Sequence, residues 1–161
     1  MRLGELQALR WQDVDLDSKM LQVRHMLTRT PAGLLLTEPK SLRSRRRIAL
    51  SPTAVEALLQ HRRKQSEERL KLGPAWDDRG LVFANAVGRA MEAGNILRRS
   101  FWPLLLDKAG MERRRFHDLR HTCATLILRQ GVHAKVVSEL LGYSSIGLTL
   151  DTYSHVLPDM Q

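Results

Sequence analysis

The chain has 161 residues, a formal net charge of +9 and a single cysteine, Cys123. This length is typical of one domain that can bury a hydrophobic core without disulfide or metal cross-links. A single cysteine excludes an internal disulfide bond. No apolar run approaches the ~20 residues that a membrane span needs, so we expect no membrane association. A lone cysteine also fits a reducing compartment, which predicts a cytoplasmic location.

The first part of the chain predicts one short helix followed by strands. Leucines three residues apart predict a helix over 2–9, and 11–17 reads as an Asp-rich turn. Alternating apolar residues predict a strand at 21–25, and short apolar runs predict strands at 34–36 and 47–50. Together these segments predict a small three-stranded antiparallel sheet.

The rest of the chain predicts helices. Ser51 as N-cap and Pro52 at the first helical position begin a long helix, which Gly73 ends. Further helices are predicted at 94–109, 116–130 and 132–141, with Gly142 closing the last of these, and a short helix ends at Tyr153. The fold class is therefore α+β, mostly α-helical, in one domain over 1–161.

The helix at 116–130 is predicted to be strongly amphipathic. Its expected buried face consists of Phe116, Leu119, Cys123, Leu126 and Ile127, so Cys123 is assigned to packing. Arg120 is predicted to point away from this face. We therefore expect that replacing Arg120 by alanine leaves folding intact.

The positive charge is concentrated in the middle of the chain. Between Lys40 and Arg120 there are 19 Lys or Arg residues against 9 Asp or Glu residues. Such a concentration indicates a surface that binds a polyanion, although a merely solvated face explains the charge alone equally well. The low aromatic content, 5%, argues against a protein that stacks single-stranded bases.

Motifs for metal and nucleotide binding are missing from the sequence. The alternating Asp13, Asp15 and Asp17 lack the glycine and the closing glutamate of a calcium loop. Zinc and phosphate-binding-loop motifs do not occur either. We therefore expect no metal and no other cofactor.

A nucleophile and cations suited to a phosphodiester occur late in the chain. His117 and Arg120 lie three residues apart on one side of a helix, and an arginine fork can hold two phosphate oxygens. Tyr153 is a candidate nucleophile, but a phenol with a pKa near 10 needs nearby cations to become reactive. The alternatives are a solvated helix start for His117 and Arg120, and ordinary core packing for Tyr153. Lys40, at a turn between strands, could protonate a leaving oxygen, although a lone lysine at a turn is usually only solvated.

Read together, five segments resemble the catalytic domain of the tyrosine recombinases, the phage-integrase family. They are RLGELQALRWQDVD (2–15), PKS (39–41) with RRI (46–48), HDLRHT (117–122), LLGYSS (140–145) and TLDTYSHV (149–156). Their order and spacing are those of the family, and they cover nearly the whole chain. The resemblance implies the tyrosine-recombinase catalytic-domain fold.

The resemblance also implies DNA cutting and rejoining through a 3′-phosphotyrosyl intermediate, without ATP or metal. Tyr153 would attack the scissile phosphate, while Arg2 and Arg120 would hold its non-bridging oxygens. Lys40 would protonate the departing 5′ oxygen. His117 would assist proton transfer and phosphate binding.

Two further positions follow from the resemblance. Glu5 matches a supporting position that orients the site. Tyr143 stands where the family usually has histidine or tryptophan; a phenol can still donate one hydrogen bond, so we expect reduced or retuned activity. The basic residues expected to contact DNA are Arg43, Arg45, Arg46, Arg47, Arg113, Arg114 and Arg115.

The implied partner is double-stranded DNA, bound by a homotetramer in a full-length protein. The sequence lacks the helix that normally precedes Arg2 and the family's N-terminal DNA-clamping domain. We therefore expect a catalytic-domain fragment or a truncated gene product, monomeric by itself. The alternative is a non-catalytic DNA-binding remnant of an integrase, and a third interpretation is a helical domain that binds RNA or an acidic protein.

Overall fold

A computed structural model of the chain describes residues 1–31, 33–38, 44–99, 101–143 and 145–154. The chain divides into two compact units. The first, called the helical unit, comprises Met1–Leu3, Lys40–Arg46 and Glu92–Gln161. The second, called the sheet unit, comprises Gly4–Pro39 and Arg47–Met91. The assignment of 1–161 to a single domain stays a prediction.

The strands of the chain form two small sheets. They are β1 (Val14–Asp15), β2 (Met20–Val23), β3 (Met26–Thr30), β4 (Gly33–Thr37) and β5 (Arg46–Ala49, of which Arg47–Ala49 belong to the sheet unit). The order β1-β2-β5 makes a three-stranded sheet, and β3 and β4 make a separate antiparallel pair. A small three-stranded antiparallel sheet is present as predicted, but its members differ. The predicted strand at 34–36 lies in β4 and pairs with β3, and β1 takes its place in the three-stranded sheet. The predicted turn at 11–17 was wrong in part, because β1 lies within it, and the pair's first strand β3 was not predicted.

The short helix α1 comprises Leu3–Gln7, and all of it except Leu3 belongs to the sheet unit. The long helix α2 (Pro52–Leu72) belongs to the same unit. The predicted bounds of α2 are confirmed: Ser51 Oγ accepts a hydrogen bond from the backbone N–H of Ala54 at 3.2 Å. The core of this unit is formed by Ala8, Leu9, Leu21, Val23, Leu81 and Val82.

The helices of the helical unit follow one another along the chain. They are a π-helical turn (Asn95–Arg99), α3 (Phe101–Lys108), α4 (Asp118–Arg129), α5 (Ala134–Leu141) and α6 (Ile146–Tyr153). Gly142 ends α5 in the left-handed region, with φ +67° and ψ +46°, as predicted. The core consists of Ala124, Leu128, Ala134, Val137, Leu141 and Tyr153.

The predicted buried face of α4 was wrong in part, although Ile127 packs against the core as expected. Leu119 and Leu126 are 53% and 54% exposed, and Cys123 is exposed as well. The buried residues are Arg120, Ala124 and Leu128, which recur every four residues and so lie on one side of the helix. The sequence pattern failed here because an arginine occupies a buried position, where its Nη2 donates to the backbone carbonyl of Leu141 at the end of α5.

Within the part of the chain that the structure describes, every helix is too short or too polar to cross a membrane.

Candidate active site

The carboxyl end of α5 is bound by three arginines from distant parts of the sequence. The carbonyls of residues 140–142 lie at this end, and each accepts a hydrogen bond from one arginine. Arg46 Nε donates to the first of them at 2.7 Å, Arg120 Nη2 donates to the second, and Arg2 Nη2 donates to the third at 3.1 Å. Carbonyls at a helix end lack partners within the helix and carry the negative end of its dipole. This end of α5 can therefore hold three like charges together, and we call Arg2, Arg46 and Arg120 the arginine cluster.

Arg120 is the most informative member of the arginine cluster. It is only 5% exposed, yet its Nη1 is buried without a hydrogen-bond partner among the described residues. Its guanidinium carbon lies 5.0 Å from the centre of the Tyr143 ring. Burial lowers the pKa of Arg120, Tyr143 opposes this, and the Arg2 and Arg46 cations lower the pKa further. Because an arginine stays charged in proteins, this arrangement leaves a buried cationic donor able to accept an anion.

Tyr153 ends α6 inside the hydrophobic core of the helical unit. The residue is 2% exposed, and its hydroxyl lies 2.8 Å from Nδ1 of His121. Burial raises the pKa of Tyr153 well above its usual value of about 10, a hydrogen bond with Tyr143 raises it further, and the Arg120 cation opposes both. The expectation that cations activate this phenol is therefore only partly met, since burial outweighs them. The phenol is neutral at pH 7 and needs a base to react.

His117 lies just before α4 and faces solvent. Its ring centre is 5.0 Å from that of His121, with the two rings edge to face. Burial lowers the pKa of His117, and the charges of His121, Arg120 and Arg2 lower it further. A neutral imidazole at pH 7 can accept a proton or donate one hydrogen bond.

The predicted catalytic residues fall into three groups. The helical unit brings together Arg2, His117, Arg120, Tyr143 and Tyr153. Lys40 lies outside the described residues, so its place in the site stays a prediction. Glu5 is buried and belongs to the sheet unit, and its supporting role also stays a prediction.

The arginines predicted to contact DNA do not share one environment. Those exposed to solvent are Arg45, Arg47, Arg113, Arg114 and Arg115. Arg43 lies outside the described residues. Arg46 is 8% exposed and gives hydrogen bonds to the carbonyls of Leu140 and Ser44, at 2.7 and 3.0 Å. The structure therefore argues against a DNA-facing role for Arg46, which instead holds the end of α5.

An open cavity of about 490 Å³ lies beside the arginine cluster. Its lining residues are Arg45, Arg46, Lys135, Ser138, Glu139, Tyr143 and Ile146. Three of these side chains are cationic and one is anionic, so the cavity favours a negatively charged occupant. Among the described residues, His, Cys, Asp and Glu side chains form no group of three that could hold a metal ion.

Sequence reasoning missed two features of this site. One is the contact of His121 with Tyr153, which joins residues 32 positions apart. The other is the use of Arg46 as a backbone clamp, 94 positions from its partner carbonyl. No local pattern carries either signal, because one contact joins α4 to α6 and the other joins the start of β5 to the end of α5.

The mostly helical fold with its small sheets, and a buried arginine beside a helix-borne tyrosine, define the class of tyrosine-recombinase catalytic domains. The sequence matches the phage integrase family model over residues 1–160, and the chain belongs to this family. The predicted family and fold class are thereby confirmed.

Relatives and solved structures support the same assignment. The chain is 35% identical to the tyrosine recombinase XerC-like protein of Caldanaerobacter subterraneus subsp. tengcongensis, over 98% of this chain and 43% of that protein. A Tn1549 transposon integrase structure matches 95% of this chain and 50% of its own, with a TM-score of 0.79 and 22% identity, which shows the fold. XerA recombinase matches with a TM-score of 0.68 and 25% identity, over 98% of this chain and 54% of its own. The chain therefore spans about half the length of these proteins.

Proposed function

We propose that this chain carries the catalytic site of a site-specific recombinase that cuts and rejoins double-stranded DNA through a 3′-phosphotyrosyl intermediate. The observation that carries the proposal is the buried, unpartnered Nη1 of Arg120 in the same cluster of side chains as the hydroxyl of Tyr153. A buried cationic donor is costly unless an anion completes it. The scissile phosphate of DNA is such an anion, and in this site it would lie beside the nucleophile Tyr153.

Phosphate binding falls to the arginine cluster. The carbonyls of residues 140–142 fix the guanidinium groups of Arg2 and Arg120, so little reorganisation is needed when charge builds up on the phosphate. Arg120 offers Nη1 to one non-bridging oxygen, and Arg2 is placed to meet another. Tyr143, close to both Arg120 and Tyr153, can donate one further hydrogen bond.

The reaction exchanges one phosphodiester for another. The Tyr153 oxygen attacks phosphorus, and the bond from phosphorus to the 5′ oxygen breaks. The leaving oxygen takes a proton from Lys40, with His117 assisting. Rejoining is the same exchange in reverse, by a 5′-hydroxyl, and so needs no external energy source.

DNA binding is supported by charge and by the relatives. Exposed Arg113, Arg114 and Arg115 precede α4, whose first turn lies in the site. The matched Tn1549 integrase structure is described as a complex with transposon right end DNA, and a XerH recombinase structure as bound to a difH substrate. By analogy with these structures we assign double-stranded DNA as the partner.

A nicked duplex that traps the covalent intermediate tests this function. Cleavage at the nick releases a short strand that diffuses away, so rejoining cannot occur and the adduct accumulates. We expect a protein–DNA adduct that resists denaturant and disappears in Tyr153→Phe, while salt-sensitive DNA binding persists in that variant. An adduct of equal yield in Tyr153→Phe would contradict the assignment.

A second candidate is a DNA-binding remnant without catalysis. Two observations favour it: Tyr153 is almost completely buried with a raised pKa, and Tyr143 replaces the family's histidine or tryptophan. Binding without an adduct from the unaltered chain would support this candidate. Tyr143→His separates the two causes, because it restores the family residue and should raise the adduct yield if Tyr143 limits the reaction.

A further inference from the structure

His121 meets the reacting oxygen of the candidate nucleophile directly. Its Nδ1 lies 2.8 Å from the Tyr153 hydroxyl, and the two ring centres are 5.9 Å apart. His121 is half-buried on α4, four residues after His117. A hydrogen bond of this length between a phenol and an imidazole is the geometry required for direct proton transfer.

Among the described residues, the other groups around this hydroxyl are unsuited to take its proton. Arg120 is always protonated. Tyr143 is itself a phenol, so it gains nothing by accepting a proton from another phenol. Cys123 influences Tyr153 only as a like charge, which disfavours a phenolate beside it. Among these described groups, the imidazole of His121 is the one whose neutral form carries a ring-nitrogen lone pair that can accept a proton.

We infer that His121 is a catalytic residue of the proposed reaction, the base that removes the Tyr153 proton during attack on the phosphate. The inference rests on the proposed function. It requires the neutral tautomer of His121 that carries its proton on Nε2 and leaves the Nδ1 lone pair facing the phenol.

Each step of the exchange balances. The Oη–H bond of Tyr153 breaks as the proton moves to Nδ1 of His121, and the bond from Oη to phosphorus forms. The bond from phosphorus to the 5′ oxygen breaks, and that oxygen is protonated by Lys40. In rejoining, a 5′-hydroxyl attacks, Lys40 recovers its proton, and the imidazolium of His121 returns its proton to the Tyr153 oxygen.

His117 lies beside this base. Its ring packs edge-on against His121, and charge on His121 lowers the pKa of His117. The cations of Arg120 and Arg2 lower the pKa of His117 as well. His117 is therefore disposed to stay neutral while His121 carries the proton.

The decisive variant is His121→Asn, which keeps a hydrogen-bond acceptor near the position of Nδ1 but cannot take a proton. Single-turnover cleavage of the nicked duplex should slow by at least ~100-fold, the usual contribution of a general base. His133→Asn is the matched control, because His133 is exposed and caps α5 through Nδ1, a task that asparagine performs well. The control should cleave at the unaltered rate.

Cleavage of a duplex with sulfur in place of the bridging 5′ oxygen distinguishes the loss of a general base from the loss of a general acid. A thiolate leaves without a proton, so loss of a general acid is corrected by this substrate and loss of the base is not. We expect His121→Asn to remain slow on it. Recovery of the unaltered rate would mean that His121 acts on the leaving group and would overturn the inference.

Two further measurements complete the test. Free imidazole should restore part of the cleavage activity that His121→Gly loses. Normal cleavage by His121→Asn would mean that His121 is only a positioning residue and would overturn the inference. Nitrogen NMR of the unaltered chain should show Nδ1 of His121 unprotonated, and an N–H at Nδ1 would contradict the inference even if the variants fail to fold. An unaltered chain that forms no adduct contradicts the proposed function itself, while adduct formation that ignores His121 contradicts only this inference.

Discussion

Two sets of arginines in the helical unit show how burial changes what the same side chain does. The arginine cluster is bound to the carbonyls that end α5, and its members Arg46 and Arg120 are buried. The second set, the exposed run Arg113–Arg115, lies in water just before α4. Arg115 pairs with Asp118 at 3.1 Å, with 86% of the arginine side chain exposed.

The two sets of arginines differ in how freely each guanidinium group can change its orientation. A buried arginine on fixed carbonyls keeps its orientation, and removing it leaves buried acceptors unsatisfied at about 1–3 kcal/mol each. An exposed ion pair contributes about 0–1 kcal/mol and is screened by salt. The arginine cluster is therefore suited to stabilising charge at one point. The exposed run is suited to attracting a polyanion from any direction.

The largest effect is expected from Arg120→Lys. Lysine keeps the charge but cannot hold the Leu141 carbonyl and a phosphate oxygen with one planar fork. Adduct formation should fall by about 100–1,000-fold, as for loss of one fixed donor to a developing charge. Urea unfolding should also show a loss of about 1–3 kcal/mol in the free energy of unfolding.

The burial of Arg120 contradicts the premise of the expectation that Arg120→Ala leaves folding intact. That expectation assumed an Arg120 turned away from the core, whereas the structure buries it. A variant at this position with unchanged stability and unchanged adduct yield would contradict the account of the arginine cluster.

Gly142→Ala attacks the same cluster through the backbone. Gly142 has φ +67°, and a Cβ there would lie 2.8 Å from Nη1 of Arg46. We expect a loss of about 1–3 kcal/mol in the free energy of unfolding, from backbone strain and from displacement of Arg46. Adduct yield should fall as well, because the carbonyls of residues 140–142 hold Arg2 and Arg120.

Gly147→Ala is the matched control for this change. Gly147 lies within α6, and a Cβ there would meet only Ser145 Oγ, at 3.7 Å. Alanine is preferred to glycine within a helix by about 0.5–1 kcal/mol. A higher melting temperature for Gly147→Ala and a lower one for Gly142→Ala would agree with the account; equal shifts would not.

Arg45 and Arg46 allow an exposed and a buried arginine to be compared at adjacent positions. Arg46→Ala removes the donor to the Leu140 carbonyl and should cost about 1–3 kcal/mol of unfolding free energy. Arg45 is exposed, so Arg45→Ala should stay within about 0.5 kcal/mol. Denaturant titration of both variants measures the difference, and a reversed order would mean that Arg46 does not hold α5.

The smallest effect is expected from the exposed run. A double replacement, Arg113→Ala with Arg114→Ala, should leave the melting temperature and the rate of cleavage at saturating DNA unchanged. Binding should weaken, and the slope of log affinity against log salt should fall by about 0.9 for each phosphate that the variant no longer neutralises. A binding titration at several salt concentrations measures this slope. Loss of cleavage at saturating DNA would instead assign these arginines to the chemistry.

The sequence predicted the parts of the fold that depend on local rules. Ser51, Pro52 and Gly73 define α2, and Gly142 closes α5, because caps and left-handed residues act within one turn. The buried side of α4 was predicted wrongly in part, because Arg120 gives no hydrophobic signal and Ala124 only a weak one, although both are buried. The compensation for Arg120 comes from the Leu141 carbonyl, 21 positions along the chain.

The candidate site likewise has a part that the sequence predicted and a part that it did not. The resemblance named Arg2, His117, Arg120, Tyr143 and Tyr153, and the fold brings these residues together. The resemblance gave no role to His121, and the local run of basic residues placed Arg46 among the DNA contacts. The contacts that define both residues join segments far apart in the sequence, which no short motif encodes.

The central claim is that Tyr153, rather than the chain's other tyrosine, takes the phosphate. The chain contains two tyrosines, Tyr143 and Tyr153, and both lie beside Arg120. The most direct measurement is mass spectrometry of peptides from the trapped adduct after nuclease digestion. The account predicts a nucleotide 3′-phosphate on the peptide that contains Tyr153, and the same mass addition on the peptide that contains Tyr143 would contradict it.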